Sequence, residues 1–467
     1  MGKLMAWLVM LCVACGATHI SLDRDTRMHI TDVMGNARFP SSAVAVVESE
    51  GTAFVLNNTT ADTLFQIGSL SKAFTGLGVL MLEETGLLSV MDPVSQHLPW
   101  FPSADMTIFS LLHHTNVMTN DERHFPSATL QTTDEFIQQM ANVELTPTSR
   151  GASLTPSNAN YIALGILIEE VSGQSFDEFM TQHILHPLGL YDTFTCVGTA
   201  HATGRVAGGH RLGFFGARAW NPPASPIAVP ALFMYSSIID MARWVGIQMG
   251  TIDIPDQFSK ILLRHRFYAI PAFDHGAPLS FGAGWRIDLD TAHIWQDAQT
   301  PGYSGGIRFL SHRFGGTAVV FLGNMAYNST TELGTVLMDA AHIGIFEQVG
   351  RDALVTLDTF FTILTALGIL HAISFVRLII RTIKRLKDGE VIKPVFTSRA
   401  KLRILDVIIN IIVLAVFYLG TAAMFENSFA HAAAHSPLSL TTGGIALWVM
   451  AVYTGFRFLV LAFINPR

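Results

Sequence analysis

The stretch FQIGSLSKAFTGLGVLM, residues 65–81, predicts more about the fold than any other segment of the chain. Leu70, Phe74 and Leu77 recur at helical spacing, which indicates a helix with one face packed against the core. Ser69 and Lys72 are three residues apart and share another face, with Cβ atoms roughly 5–6 Å apart. At that distance a neutral lysine amine can take the serine proton, so the stretch predicts a Ser-x-x-Lys nucleophile.

A lysine that acts as a general base needs a special environment. Free lysine has a pKa of about 10.4, and a base works best near ambient pH, so burial and polar neighbours must lower the pKa by roughly 3 units. Ser-x-x-Lys spacing is also common by chance. Its alternative interpretation is an ordinary helix start with Ser69 as the N-cap, and the rest of the chain distinguishes the two.

Six ordered phrases support the catalytic interpretation. They are FQIGS (65–69), GLLSVMDPV (86–94), LLHHT (111–115), NANYIALG (158–165), HPLGL (186–190) and TPGYS (300–304). Together they resemble the serine β-lactamase and penicillin-binding-protein superfamily, in its class C-like branch, over most of residues 35–330. The resemblance implies an α/β fold, with a β-lactamase-like antiparallel sheet and a mainly helical subdomain, and an acyl-enzyme on Ser69 with Lys72 as base.

A narrower likeness concerns substrate and partners. Residues 68–76, the segment GHRLGF (209–214) and the predicted membrane spans are similar to the membrane-bound peptidases that activate colibactin-type prodrugs by removing an N-acyl-D-asparagine motif. This likeness implies a small-molecule or acyl-peptide substrate, and it suggests a transporter as a partner.

The second motif of the superfamily departs from the usual pattern. Where relatives carry Tyr-x-Asn or Tyr-x-Ser, this chain has Pro156-Ser157-Asn158. Proline offers no side-chain donor or acceptor and cannot replace the phenol. Tyr161 is the nearest tyrosine, and a buried structural role is favoured for it over catalysis. Asn158 is expected either to contact a substrate carbonyl or to serve as a helix N-cap.

The third motif, Lys-Thr-Gly or His-x-Gly in relatives, aligns with Gln296-Asp297-Ala298. The cationic or imidazole group is therefore missing. Gln299 matches the position whose backbone N–H pairs with that of Ser69 as an oxyanion hole, and a backbone donor survives a change of side chain. Two hypotheses follow: a serine hydrolase of the peptidase or amidase type, or a catalytically impaired relative that binds a ligand as a sensor or scaffold.

Composition indicates a membrane portion. The 467 residues are 50% hydrophobic and only 14% charged, with a mean hydropathy of +0.39. Residues 1–17 are predicted to be a signal peptide and residues 18–352 an extracytoplasmic domain. Residues 353–467 are predicted to form a membrane domain with three transmembrane helices. They are expected at about 354–376, 404–424 and 444–464.

The connection over residues 377–403 carries nine Lys or Arg, so the positive-inside rule places it in the cytoplasm. We therefore expect a multi-pass protein of the inner or cell membrane with its catalytic domain on the outer side. The formal charge of -7 gives no reason to expect nucleic acid. The histidines and cysteines show no metal-binding spacing with acidic support, so neither a metal nor a cofactor is expected.

Local patterns predict the outline of the outer domain. Hairpins are expected over residues 43–56 and 306–323. Helices are expected after Thr133 and after a capping box that begins at Ser175. Strands at both ends that enclose a helical middle predict an antiparallel sheet closed by the two ends of the domain.

Overall fold

A computed structural model describes residues 20–463 except 119–129, 142, 144, 148–155, 222, 268–269, 275–276, 289–290, 311–315, 328–329, 345–352 and 389–437. The chain divides into two compact units, Met1–His210 with Ala219–Gly350, and Arg211–Arg218 with Arg351–Arg467. The predicted signal peptide (1–17) and the second predicted span (404–424) lie outside the described residues.

Fifteen strands are present in the described residues. They are β1 (Ser42–Glu48), β2 (Gly51–Asn57), β3 (Leu64–Gln66), β4 (Asn116–Met118), β5 (Leu145–Pro147), β6 (Thr193–Phe194), β7 (His210–Gly213), β8 (Gly216–Ala219), β9 (Tyr235–Ser237), β10 (Ile270–Asp274), β11 (Ala277–Phe281), β12 (Arg286–Ile287), β13 (His293–Thr300), β14 (Tyr303–Leu310) and β15 (Ala318–Gly323).

The same residues form thirteen α-helices. They are α1 (Arg24–Asn36), α2 (Ser71–Glu84), α3 (Val94–His97), α4 (Ile108–Leu112), α5 (Thr133–Met140), α6 (Asn158–Ser172), α7 (Phe176–Met180), α8 (Val197–Ala202), α9 (Ile238–Met249), α10 (Asp256–Phe267), α11 (Thr330–Ile343), α12 (Ala353–Lys387) and α13 (Leu438–Phe463).

An eight-stranded sheet organises the first unit, in the order β10-β11-β12-β13-β14-β15-β1-β2. Both predicted hairpins are confirmed, because β1 pairs with β2 and β14 pairs with β15, each antiparallel. β1 also pairs with β15, with Ser42 opposite Gly323, so the N-terminal strands close a sheet built mainly from C-terminal ones. The α/β architecture with an antiparallel sheet is confirmed.

The strands of the sheet centre are buried on both faces. Every residue of β14 and β15 is buried, although strict alternation would expose every second side chain. Helices account for this, since α9 packs against β1 and β15 while α11 packs against β14 and β15. The continuous apolar runs of these strands therefore match a sheet covered on both sides.

The helix α2 lies in the core of the helical region, and Ser71–Leu82 are all buried. One detail of the sequence prediction is wrong: Ser69 lies in a 3₁₀ turn, Gly68–Leu70, and the α-helix begins two residues later. Gly76 is required by close packing, because a Cβ there would lie 2.7 Å from the carbonyl oxygen of Ala283.

Two capping boxes begin helices in the helical region. Thr132 and Glu135 cap α5, and Ser175 and Glu178 cap α7, so the predicted helix starts are confirmed. The second helix begins at Phe176 and continues as a π-helical turn over Thr181–Leu185.

The second unit contains α12, α13 and the segment Arg211–Arg218. Within the described residues, one helix is long and apolar enough to cross a membrane, Asp358–Arg385. It contains most of the first predicted span. The third predicted span falls in α13, which begins at Leu438 rather than near residue 444. The two helices approach closely where a Cβ at Gly368 would lie 2.3 Å from the Cβ of Ala446, as is typical of small residues between apolar helices.

Candidate active site

The turn that carries Ser69 lies directly against strand β13. Gly68 has a φ of +50°, and a Cβ there would lie 2.9 Å from the backbone nitrogen of Gln299 and 3.0 Å from the Cβ of Ala298. Only glycine fits this backbone and this approach. The turn therefore places Ser69 next to Gln299, whose side chain is exposed while its backbone belongs to the strand. These are the two residues whose N–H groups are predicted to form an oxyanion hole.

Lys72 is the polar centre of the site and is only 4% exposed. Its Nζ lies 3.0 Å from Ser69 Oγ, 2.7 Å from Asn158 Oδ1 and 3.0 Å from the carbonyl oxygen of Ala231. The last two oxygens can only accept hydrogen bonds, whereas the hydroxyl can also donate. A neutral amine can therefore give its two hydrogens to Asn158 and Ala231 and direct its lone pair at the Ser69 hydroxyl. The arrangement suits proton transfer from Ser69 to Lys72.

Asn158 is the first residue of α6, and the preceding residue is the N-cap. Ser157 Oγ accepts the hydrogen bond from the backbone N–H of Ala159 at 3.2 Å, so the interpretation of Asn158 as the cap is wrong. The Asn158 side chain instead reaches Lys72. The structure thus brings together Ser69, Lys72 and Asn158, with Gln299 beside them.

No tyrosine hydroxyl takes the place of the missing phenol among the residues that line the described cavity. Tyr161 is fully buried and its hydroxyl donates to the carbonyl oxygen of Leu112 at 2.9 Å. Burial raises the pKa of this phenol well above its ordinary value. Its geometry agrees with the structural role that the sequence favours. Pro156 itself lines the cavity beside Asn158.

Strand β13 forms the opposite wall, and its altered motif has new partners. Asp297 Oδ1 accepts from Arg308 Nη2 at 2.6 Å, and its Oδ2 accepts from Thr331 Oγ1 at 2.7 Å. Gln296 Oε1 accepts from Arg286 Nη1 at 3.3 Å. A guanidinium from the neighbouring strand β12 therefore lies at the cavity although the motif has lost its own cation.

These groups surround one cavity of about 250 Å³. It is lined by Ser69, Lys72, His114, Pro156, Asn158, Phe281, Arg286, Gln296, Asp297, Ala298, Gln299 and Thr330. Its size is close to the lower end of the range for small-molecule sites. In the described part of the chain no cluster of three or more His, Cys, Asp or Glu residues is arranged to hold a metal.

Four cavity residues were not singled out from the sequence: His114, Phe281, Arg286 and Thr330. Arg286 belongs to no motif, and it reaches the cavity because β12 pairs with β13, where Arg286 lies opposite Trp295 and next to Gln296. His114 belongs to the phrase at residues 111–115 but was not singled out as a site residue. Each reaches the cavity from an element whose role appears only after the chain has folded.

The chain is similar to known proteins in both sequence and structure. The sequence model of the family described as "Beta-lactamase" matches residues 27–338, more than half of the chain. The structure is similar to a class C beta lactamase from Rhodobacter sphaeroides, with a TM-score of 0.55, 19% identity, and coverage of 69% of this chain and 99% of that one. At this identity the likeness shows the fold.

Similar sequences include two proteins of Bacillus subtilis (strain 168). "Penicillin-binding protein 4*" is 33% identical over 28% of this chain and 30% of its own length, and "Putative penicillin-binding protein PbpX" is 34% identical over 27% and 32%. "Protein flp" of Staphylococcus aureus (strain MW2) is 25% identical over 52% of this chain and 50% of its own length. The matches thus span half or less of these curated relatives.

Proposed function

Since the chain belongs to the β-lactamase family, we propose that it is a membrane-anchored serine hydrolase that forms an acyl-enzyme on Ser69. The observation that carries this proposal is the contact of 3.0 Å between Lys72 Nζ and Ser69 Oγ. The amine is buried there, and the oxygens of Asn158 and Ala231 can accept its two hydrogens, so its lone pair can face the Ser69 hydroxyl.

The proposed reaction uses the groups in a fixed order. Ser69 Oγ attacks an acyl carbonyl as its proton passes to Lys72 Nζ. The backbone N–H groups of Ser69 and Gln299 hold the negative oxygen of the tetrahedral intermediate. The intermediate collapses, the scissile C–N bond breaks, and the Lys72 ammonium returns the proton to the leaving amine. Water then hydrolyses the ester, again with Lys72 as the base.

We assign the substrate to acylated peptide-like molecules, so the activity is of the peptidase or amidase type used in prodrug activation. Support comes from the sequence likeness at residues 68–76 and 209–214. The apolar helix Asp358–Arg385 also fits a protein that meets acyl chains at a bilayer. The proposed location is the inner or cell membrane with the catalytic domain outside, near a transporter that handles the precursor.

A second candidate function is ligand binding without turnover. Pro156 removes the phenol that moves protons in relatives, and the Asp297–Arg308 ion pair occupies the third motif. A protein altered in this way can hold an acylated peptide as a sensor or scaffold. The intact contact between Ser69 and Lys72 favours the hydrolase.

The deciding experiment is intact-mass analysis of the full chain in detergent. The protein is exposed to a fluorophosphonate and, separately, to an N-myristoyl-D-asparaginyl amide, with Ser69→Ala as the control. An adduct on the wild type alone, or cleavage lost in the variant, supports the hydrolase. A folded wild type that forms no adduct and cleaves nothing supports the binding protein.

Membrane topology has its own test. A reporter fused after Arg399 should be found on the cytoplasmic side of the membrane, because the connection over residues 377–403 is strongly basic. A signal from the outer side at this position would contradict the three-span topology.

A further inference from the structure

His114 is a cavity residue without an assigned role in the proposed reaction. It is 1% exposed and adopts the left-handed backbone conformation, with a φ of +52°. That conformation is uncommon for residues other than glycine, and Asn, Asp and His adopt it more often than most. The neighbouring His113 is equally buried, at 2%, but its Nδ1 lies 2.9 Å from the carbonyl oxygen of Phe109 within the same turn. The two histidines therefore differ in what they hold.

The hydrogen bonds of His114 fix its tautomer. Its Nδ1 accepts from the backbone N–H of Ser157 at 3.3 Å and lies 2.9 Å from Asn160 Nδ2. A backbone N–H can only donate, so the Nδ1 lone pair is occupied and the neutral ring carries its proton on Nε2. Burial, followed by the charges of Lys72, Arg286 and His113, lowers the pKa of His114 well below its ordinary value. The ring is therefore a neutral acceptor at Nδ1.

The two groups that meet His114 Nδ1 lie on either side of Asn158 in the sequence. Ser157 is the N-cap of α6 and Asn160 lies in its first turn, so one ring nitrogen holds the start of the helix at two points. Between these points Asn158 directs Oδ1 at Lys72 Nζ over 2.7 Å. A shift of the helix start would change this contact directly.

The other ring nitrogen of His114, Nε2, is buried and has no hydrogen-bond partner among the described residues. A buried donor left unpaired costs about 1–3 kcal/mol, so a histidine chosen only for packing would be expected to use both nitrogens. Among the described residues, the hydrogen bonds that fix the ring are therefore those of Nδ1.

We propose that His114 is a positioning residue of the Ser69–Lys72 site, which fixes the start of α6 so that Asn158 meets Lys72. The proposal rests on the proposed hydrolase function. His114 acts through a chain of contacts. It holds the first turn of α6, this turn positions Asn158, and Asn158 orients the Lys72 amine that faces Ser69.

The test compares variants by the rate of Ser69 acylation with a fluorophosphonate, separating the limiting rate from the half-saturating concentration. His114→Leu removes the acceptor, and because a 1 Å misplacement can cost about 100-fold, we expect the limiting rate to fall about 10- to 100-fold. The half-saturating concentration should change less than about 3-fold. His114→Asn keeps an acceptor oxygen near the Nδ1 position and suits the left-handed backbone, so it should restore the rate to within about 3-fold.

Two further variants keep the proposal falsifiable if His114→Leu does not fold. Asn160→Ala removes one donor to His114 Nδ1 and leaves residue 114 itself unchanged. It should lower the limiting rate by a smaller factor than His114→Leu does. In the Asn158→Leu background, a second substitution at His114 should not lower the limiting rate further. A residue that acts through Asn158 has no effect once the Asn158 side chain is gone. His113→Leu is the matched control and should retain the wild-type rate when folded.

The outcomes separate the two proposals. A wild type that is never acylated overturns the hydrolase. An acylated wild type whose rate is unchanged in folded His114→Leu or Asn160→Ala overturns the positioning role alone. Full additivity of His114→Leu with Asn158→Leu does the same. Loss in His114→Leu, rescue in His114→Asn and silence in the Asn158→Leu background support it.

Discussion

The two walls of the cavity differ in what the chain has kept. On one wall, the turn at Gly68–Leu70 and helix α2 present Ser69 and Lys72 in contact, as the superfamily pattern predicts. On the other, strand β13 carries Gln296, Asp297 and Ala298 where relatives have a cation and a glycine. The difference teaches that the Ser69–Lys72 contact depends on side-chain identity, whereas residue 299 has a backbone N–H whatever its side chain.

The altered wall is rebuilt rather than vacant. Arg286 donates to Gln296, and Arg308 pairs with Asp297 in a largely buried contact. Breaking a buried ion pair is costly, because it leaves an uncompensated charge. These two contacts fix the side chains of Gln296 and Asp297. Arg286, from strand β12, brings to the cavity the positive charge that the third motif lacks.

The largest expected effect tests the wall that carries Ser69 and Lys72. Lys72→Met removes the base but keeps a side chain of similar length, and we expect the acylation rate to fall by about 10²- to 10⁴-fold. The exposed lysine of α10 provides the control, and Lys260→Met should leave the rate unchanged. The rate is measured with the fluorophosphonate. A loss of less than about 10-fold would place the base elsewhere and break the comparison.

The missing phenol offers a gain-of-function test. Pro156→Tyr returns a hydroxyl to the cavity lining, and we expect turnover of the acylated amide to rise by roughly 10-fold or more. Pro156→Phe is the matched control, because it adds the ring without the hydroxyl. Equal turnover in the two variants would show that the cavity does not lack a proton-transfer group at residue 156.

A smaller effect tests the cation that has moved to β12. Arg286→Leu should raise the KM for a carbonyl-bearing substrate by about 10-fold and leave kcat nearly unchanged, because the guanidinium contributes to binding rather than to proton transfer. Arg286→Lys keeps the charge and should fall between the variant and the wild type. Steady-state kinetics separate the two constants. A fall in kcat with KM constant would assign Arg286 to the chemical step.

The smallest effect concerns pH and the start of α6. The unfolded chain protonates His114 near pH 6.5, whereas burial and the charges of Lys72, Arg286 and His113 hold the folded pKa well below that value. Below pH 6.5 the unfolded state binds the extra proton, so the free energy of unfolding decreases as pH falls. The decrease is at most about 1.4 kcal/mol for each pH unit.

His114→Asn has no such group, so its melting temperature should decline less than that of the wild type between pH 7 and pH 5. Thermal unfolding of both proteins in detergent at the two pH values gives the comparison. If both melting temperatures decline equally, His114 is not the titrating group, and other residues account for the pH dependence of stability.

Local sequence patterns predicted much of the fold. The helix after Thr132, the capping box at Ser175 and the hairpins over residues 43–56 and 306–323 are present because each depends on residues a few positions apart. The prediction failed where contacts between residues far apart in the sequence decide the role of a side chain. Asn158 was a credible cap by its type, but Ser157 takes that role while Asn158 is drawn to Lys72.

The sequence by itself determined the contact between Ser69 and Lys72, because a single turn joins them and its spacing brings their side chains together. Only the tertiary structure decided what surrounds them. Asn158 lies 86 positions from Lys72, and His114 and Arg286 reach the cavity from separate elements. Contacts between residues so far apart have no periodicity to reveal them, since they arise when helices and strands pack into one core.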